Sequence, residues 1–307
     1  MRSYLIGNRA LIGLLAAVIA VIAVAAVAAL STGSPSEPAA ATGPPSRGPA
    51  AAAATGPAAA APARERPRAS PRRRHRAAVR RRERVARAGE YAEGRDGHVA
   101  FAVAGPGEEI HGRNEHELFQ SASAVKALIL AAELQRVADA GGRLDPDAAA
   151  ELRRMITVSD NDAASAVFAR VGPEGVEAIA HRAGMRDFRA SDVWGASAIS
   201  AADMAAMFGR LGRVFPERYE KFGLGLLGSI VSEQAWGIPE VAGERGWSVR
   251  FKGGWRPDPG GFVVNQAAEL RRGGERRAIA VLTDAQPSMA YGIETIEGIT
   301  GRVLRGR

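Results

Sequence analysis

Apolar residues are distributed very unevenly along this chain. From Ala10 to Leu30 it is uncharged and largely apolar, and from Ser31 to about Pro67 it is mostly Ala, Pro, Gly and Ser with few large apolar side chains. Beyond about residue 90 apolar positions recur with a period. His98-Val-Ala-Phe-Ala-Val103 alternates up to Gly105-Pro106-Gly107, and a second short run through Ile110 predicts an N-terminal hairpin. Helical spacing follows over Ala124 to Ala140, Asp147 to Val158, Ala163 to Val171, Glu174 to Ala183, Ala201 to Leu211 and Glu217 to Ile230. The pattern then turns extended over Ser248 to Lys252, Gly261 to Leu270 and Arg277 to Thr283, before a last helix at about Met289 to Leu304. Strands at both ends of a helical middle predict an α/β (α+β) chain whose sheet is assembled from distant segments, with an all-helical lobe inserted between them.

Charge divides the chain at the same place. Residues 1–89 carry 15 basic and 3 acidic side chains, a net +12, whereas the remainder carries 26 and 30, a net −4. The overall +8 therefore describes an N-terminal arm, and a nucleic-acid partner is not expected. The apolar run 10–30 has about the length a bilayer-spanning helix requires. Arg2 and Arg9 precede it and no basic residue follows until Arg47, which predicts residues 1–9 inside and the body outside. Its length favours an uncleaved signal anchor over a cleaved signal peptide, whose apolar region is usually roughly 7–15 residues. Cleavage would give a secreted protein. Residues 31–89 then read as a disordered Ala/Pro-rich tether that becomes Arg-rich over 64–87. A solvated, partly helical linker is the preferred reading of that arm, with anionic lipid heads or acidic wall polymers as its possible partners. Residues 90–307 are the expected catalytic body, and with no cysteine in the chain neither disulfides nor a lipidated cysteine enter the picture.

Only three of the 41 basic residues are lysines, and two of them, Lys126 and Lys252, fall in short patterns that need a lysine. A guanidinium essentially never loses its proton, whereas a buried ammonium does. In Ser123-Ala-Val-Lys126 the serine and lysine are three apart at a predicted helix start, so they share a face and the amine is placed to activate the hydroxyl. Ser159-Asp160-Asn161 falls at the junction of two predicted helices, where a turn projects a hydroxyl and an amide into a cleft. Lys252 is expected to end a strand, and Gly253 and Gly254 after it expose bare backbone for a substrate to lie along.

Other signals are weaker. Gly223-Leu-Gly225-Leu-Leu-Gly228 matches a dinucleotide fingerprint but follows no predicted strand, so close helix packing is expected and no cofactor. His111 and His116 lack the spacing of a metal site. No Gly-x-Ser-x-Gly elbow occurs. Trp194, Trp236 and Trp247 read as packing residues, while Trp255, just after the glycines, falls at the cleft.

Together these motifs resemble the penicillin-recognising serine hydrolases, specifically class A β-lactamases and the β-lactamase-related serine hydrolases of actinobacteria, over about residues 95–307. Phe119-Gln-Ser-Ala-Ser123-Ala-Val-Lys126, Met155-Ile-Thr-Val-Ser159-Asp160-Asn161-Asp162 and Val281-Leu-Thr-Asp284 to Tyr291-Gly292-Ile293 carry the likeness. The resemblance implies a five-stranded antiparallel sheet flanked by helices with an inserted helical lobe, in a monomer that uses no cofactor or metal. It implies Ser123 as the acylated nucleophile, Lys126 as its base, Ser159 as a proton relay and Lys252 as positive potential for the substrate carboxylate. Asn161 would hold the substrate's side-chain amide, Gly254 would line the substrate edge, and the backbone N–H groups of Ser123 and Trp255 would form the oxyanion hole.

Two departures stand out. Gly253 occupies a position where the family has a hydroxyl, and between Phe188 and Ser197 there is no glutamate to activate a deacylating water, Asp192 being the only carboxylate. The expected behaviour is acylation by a β-lactam with slow deacylation. A D-Ala-D-Ala carboxypeptidase or transpeptidase, and a catalytically vestigial wall-binding protein, are the alternatives.

Overall fold

The computed structural model describes residues 71–105 and 109–305. Helix α1 (Pro71–Glu93) precedes β1 (His98–Ala104), β2 (His111–Arg113) and β3 (Phe119–Gln120). A 3-10 turn, Ala122–Val125, leads into α2 (Lys126–Asp139), α3 (Pro146–Thr157) and α4 (Asn161–Ala183). After a second 3-10 turn, Trp194–Ala196, come β4 (Ala198–Ile199), α5 (Ala201–Gly209), α6 (Leu211–Val214), α7 (Glu220–Leu227) and α8 (Ile238–Gly243). The chain ends with β5 (Ser248–Asp258), β6 (Gly261–Arg272), β7 (Glu275–Asp284) and α9 (Met289–Leu304).

The sheet has the order β2-β1-β7-β6-β5 and is antiparallel throughout. β1 pairs with the last strand from His98↔Asp284 to Ala104↔Ala278, which closes the sheet across the inserted helices. Side chains alternate between its two faces. Ala100, Ala102, Ala104, Ala267, Ala278 and Ala280 pack with the helical lobe, whereas Phe101, Val103, Val264, Leu270, Ile279 and Val281 pack with α1, α8 and α9. Small side chains on the lobe face let α5 approach closely: a Cβ at Gly209 would touch the methyls of Ala278 and Ala104 at 3.7 and 3.9 Å.

Local chemistry sets the helix starts that frame the site. Asp145 caps α3 by accepting from Asp147 N and Ala148 N, Asp160 caps α4 through Ala163 N, and Ser200 caps α5 through Asp203 N. α4 joins two predicted helices across a kink, where Gly172 adopts φ 64° ahead of Pro173.

Several expectations need correction. The body does not begin at residue 90, because residues 71–89 of the expected tether belong to α1. Val85, Ala88 and Ala92 bury one stripe of that helix in the core shared with α9. Tyr91 donates to Glu294 O at 3.2 Å and lies under Arg302, whose guanidinium is 3.8 Å from the ring centroid. Arginine-rich composition hid this stripe, since apolar anchors are few and long charged side chains cover the rest. β5 runs on to Asp258, so Lys252 sits inside a strand and not at its end. α8 had no counterpart in the pattern, and the predicted helix 217–230 is shorter, a 3-10 turn followed by α7. Gly223 lies inside α7 against the Phe215 ring, as helix packing requires. Among the described residues no helix is long and apolar enough to cross a membrane. The span expected over residues 10–30, and the tether over 31–70, lie outside the described residues.

Candidate active site

Three segments converge at one edge of the sheet. The first is the 3-10 turn that carries Ser123 into α2. Ala122, just before the serine, has φ 45°, a left-handed conformation unusual for a residue with a Cβ and one that costs energy. Ser123 is partly exposed, while Lys126, one turn on, is buried completely.

The second segment is the α3–α4 junction. Ser159 also adopts a left-handed φ, 58°, which turns the chain sharply between Val158 and the Asp160 cap. That turn presents two acceptors to Lys126 Nζ, Ser159 O at 2.6 Å and Asp160 O at 3.2 Å. Asn161, at the start of α4, adds its Oδ1 at 2.7 Å, and Ser159 Oγ lies 3.3 Å from the same nitrogen.

The third is the middle of β5. Lys252 is fully buried and its Nζ donates to Ser159 Oγ at 3.1 Å and to Gly253 O at 2.8 Å. A Cβ on Gly254 would meet Ala124 N, Ser121 O and Ser123 N at 2.6–2.7 Å, so glycine there lets the serine-bearing turn lie directly on the strand. Gly254 thus serves backbone-to-backbone packing at this edge. Trp255 follows, partly exposed, and meets Trp236 edge-to-face at 5.5 Å. Asn265 pins the neighbourhood from beneath: its Nδ2 donates to Gln120 O at 2.8 Å and its Oδ1 accepts from Thr283 N at 2.9 Å.

All seven residues singled out in the sequence therefore occur in these segments. Ser159, Asn161 and Lys126 are joined by hydrogen bonds, Lys252 joins them through Ser159, Gly254 lies against the turn of Ser123, and Trp255 follows it on β5. One relation differs from expectation. Lys126 directs its hydrogen bonds to Ser159, Asp160 and Asn161, with none to Ser123 Oγ among the described residues.

Electrostatics favour neutral amines here. Burial lowers the Lys126 pKa from 10.5 to about 7, against the opposing pull of Asp160. Lys252 is pushed well below the ordinary lysine range, by burial first and by the charge of Lys126 second.

The short loop between Phe188 and Ser197 is bound tightly to the serine turn. Asp203, its own pKa raised by burial, accepts from Arg186 N and Asp187 N at 2.7 and 2.8 Å and fixes the loop's approach. Ser121 N donates to Ser197 O at 2.9 Å, and Ser121 Oγ lies 3.4 Å from both Trp194 O and Gly195 O. Asp192 is exposed. What the loop does present to Lys126 is Trp194, with its ring centroid 4.8 Å from Nζ and its Nε1 donating to Ser165 Oγ at 3.2 Å. Sequence reasoning treated Trp194 as packing; its place in the loop that lacks a glutamate was the available signal. His116 pairs with Asp187 at 2.8 Å, and no three His, Asp or Glu among the described residues cluster to hold a metal ion.

Residues 147–305, just over half of the 307-residue chain, match the model of the beta-lactamase enzyme family. The chain belongs to that family. The matched stretch contains Ser159, Asn161 and Lys252 and begins after Ser123 and Lys126. In three dimensions the beta-lactamase from Sphaerobacter thermophilus is similar at TM-score 0.61 and 23% identity, over 72% of this chain and 96% of that one. A class A beta-lactamase from Mycobacterium abscessus is similar at TM-score 0.63 and 19% identity, over 72% and 97%. PBP-A is similar at TM-score 0.62 and 18% identity, over 72% and 94%. No curated protein matches the chain in sequence. The expected fold is thus present, in a chain of the beta-lactamase enzyme family whose loop between Phe188 and Ser197 holds Trp194 and no glutamate.

Proposed function

We propose that this beta-lactamase-family chain is an acyl-transferring serine hydrolase whose acyl-enzyme is long-lived. The observation that carries the reading is the position of Ser159 Oγ, 3.3 Å from Lys126 Nζ and 3.1 Å from Lys252 Nζ, beside the turn that bears Ser123. Ser123 Oγ attacks the β-lactam carbonyl and a neutral Lys126 takes its proton. With a pKa of about 7, a substantial fraction of Lys126 is neutral near neutrality. Charge on the former carbonyl oxygen meets the backbone N–H groups of Ser123 and Trp255, donors of a kind that can each contribute about 3 kcal/mol. The C–N bond then breaks, the nitrogen receives a proton through Ser159, and the acyl group remains on Ser123. A substrate carboxylate arriving near Lys252 favours that residue's charged form, reversing the effect of burial, and Asn161 holds the substrate amide.

Deacylation lacks an obvious catalyst. Trp194 covers Lys126 and supplies no base, and Asp192 is exposed. Pre-steady-state kinetics with a chromogenic cephalosporin test this reading. A burst of one product per enzyme followed by slow turnover is expected, and fast linear turnover without a burst contradicts it.

A second reading, a D-Ala-D-Ala carboxypeptidase or transpeptidase, is favoured by the same missing carboxylate and by the similarity to PBP-A. Release of D-alanine from a stem pentapeptide distinguishes it. With residues 10–30 as an anchor, either reaction would take place outside the membrane, in a tethered enzyme.

A further inference from the structure

Lys252, Gly254 and Arg256 alternate along β5 and share the face of the sheet that meets the helical lobe. Lys252 reaches Ser159 from that face, and a Cβ on Gly254 would strike the turn that bears Ser123. Gly253 and Trp255 face the other way, since a Cβ on Gly253 would lie 3.7 Å from the Trp255 ring. Two residues beyond Gly254, the Nη2 of Arg256 donates to Gln120 Oε1, on β3 and three residues ahead of Ser123. At about 3.3 Å per residue, Lys252 and Arg256 are roughly 13 Å apart along the strand, with the contact between Gly254 and the serine turn in the middle.

That order gives a bound substrate a direction. In the reaction proposed above, on which this inference rests, the carbonyl oxygen meets the N–H groups of Ser123 and Trp255, and the leaving nitrogen receives its proton through Ser159, whose Oγ is 3.1 Å from Lys252 Nζ. The leaving side and its carboxylate therefore lie towards Lys252. The acyl side chain, beyond the amide held by Asn161, runs the opposite way along β5, towards Arg256. This guanidinium is partly exposed and incompletely paired. Its closest approach to Asp258, 2.9 Å, uses the same Nη2 that serves Gln120, and its Nε is buried without a hydrogen-bond partner among the described residues. An ion pair open to solvent contributes little. Asp258 is thus a weak competitor for a fork whose geometry suits a further carboxylate.

We propose that Arg256 is a specificity-determining residue that binds an anionic group on the acyl side chain of the substrate. Carbenicillin and benzylpenicillin differ by one carboxylate on that side chain. The second-order rate constant of acylation is measured for each drug with the full chain, by time-resolved intact-protein mass spectrometry, and the ratio of carbenicillin to benzylpenicillin is compared between variants. The ratio is expected to fall about tenfold in Arg256→Gln, as for the loss of one charge-assisted hydrogen bond. In Asp258→Asn, which frees the guanidinium, it is expected to rise about two- to fivefold. A purely structural role for Arg256 would slow both drugs alike and leave the ratio constant. A constant ratio in both variants while acylation proceeds, or shifts of the same sign in both, overturns the proposal alone. Absence of a Ser123-dependent adduct with either drug overturns it together with the reading on which it rests. Because the two variants shift the ratio in opposite directions, misfolding of one leaves the other to decide.

Discussion

Trp194 covers Lys126, its indole centroid 4.8 Å from the amine nitrogen, and it lies in the loop in which the resemblance called for a glutamate that activates water. The contact has two opposing electrical effects. A ring face attracts a desolvated cation by about 2 kcal/mol or more, but the ring also excludes the water that would solvate the ammonium. Burial is the larger influence on Lys126.

Trp194→Ala should therefore raise the Lys126 pKa and move the alkaline rise of the acylation rate upward from about pH 7. The check is the pH profile of acylation in both proteins. A downward move would mean that the indole acts mainly through its attraction for the cation.

Lys126→Arg should lower the acylation rate by at least about 100-fold, the lower range for loss of a general base, since arginine keeps its proton. Stopped-flow acylation, with circular dichroism to establish folding, measures it.

Stability should rise with pH through the Lys126 window. The folded-state pKa of about 7 lies below the ordinary 10.5, so between those values the unfolded chain binds more protons. The destabilisation from burying the amine is greatest below about pH 7 and gone above 10.5. Lys126→Met should thus stabilise the chain by roughly a few kcal/mol at pH 7, a gain that shrinks towards pH 10. Denaturant unfolding of both proteins across this range reads the difference, and a pH-independent gap would mean that Lys126 is solvated.

Gly253 and Gly254 should respond oppositely to substitution. A Cβ at Gly253 has ordinary contacts, 3.5–3.7 Å from Gln266, Asn265 and Trp255, so Gly253→Thr fits and restores the family's hydroxyl. Penicillin acylation should become about fivefold more efficient, corresponding to a net hydrogen bond of about 1 kcal/mol. Gly254→Ala instead drives a methyl into the backbone of Ser121, Ser123 and Ala124, and should lower the unfolding midpoint and abolish acylation.

A chain begun at residue 95 should be much less stable than one begun at 71, because it loses the contacts of Val85, Ala88, Ala92 and Tyr91 with α9. Thermal unfolding of the two compares them directly. Equal midpoints would mean that α1 is an accessory to the fold.

The contrast between α1 and Lys126 explains what was legible in the sequence. The strands read over 98–103 and 277–283 are visible as short, almost wholly apolar runs because both faces of the sheet are buried, each against a different layer. The seven candidate residues could be picked from the sequence because the chemistry that the resemblance implies demands particular residue types at short spacing. α1 could not, since among its many arginines only a few small apolar side chains face α9. The hydrogen bonds of Lys126 were hidden for another reason. The turn at Ser159 depends on a left-handed serine, which no local pattern announces. Trp194 is a residue type that usually packs, and only the contact itself reveals that it packs on the amine.

Intact-protein mass spectrometry of the full chain mixed with a penicillin, sampled from seconds to hours beside Ser123→Ala, is the most direct test of the central claim. The account predicts an adduct of one penicillin that forms in the native chain, persists for hours and is absent from Ser123→Ala. An adduct that disappears within seconds while the drug is consumed, or one that forms equally in Ser123→Ala, would contradict it.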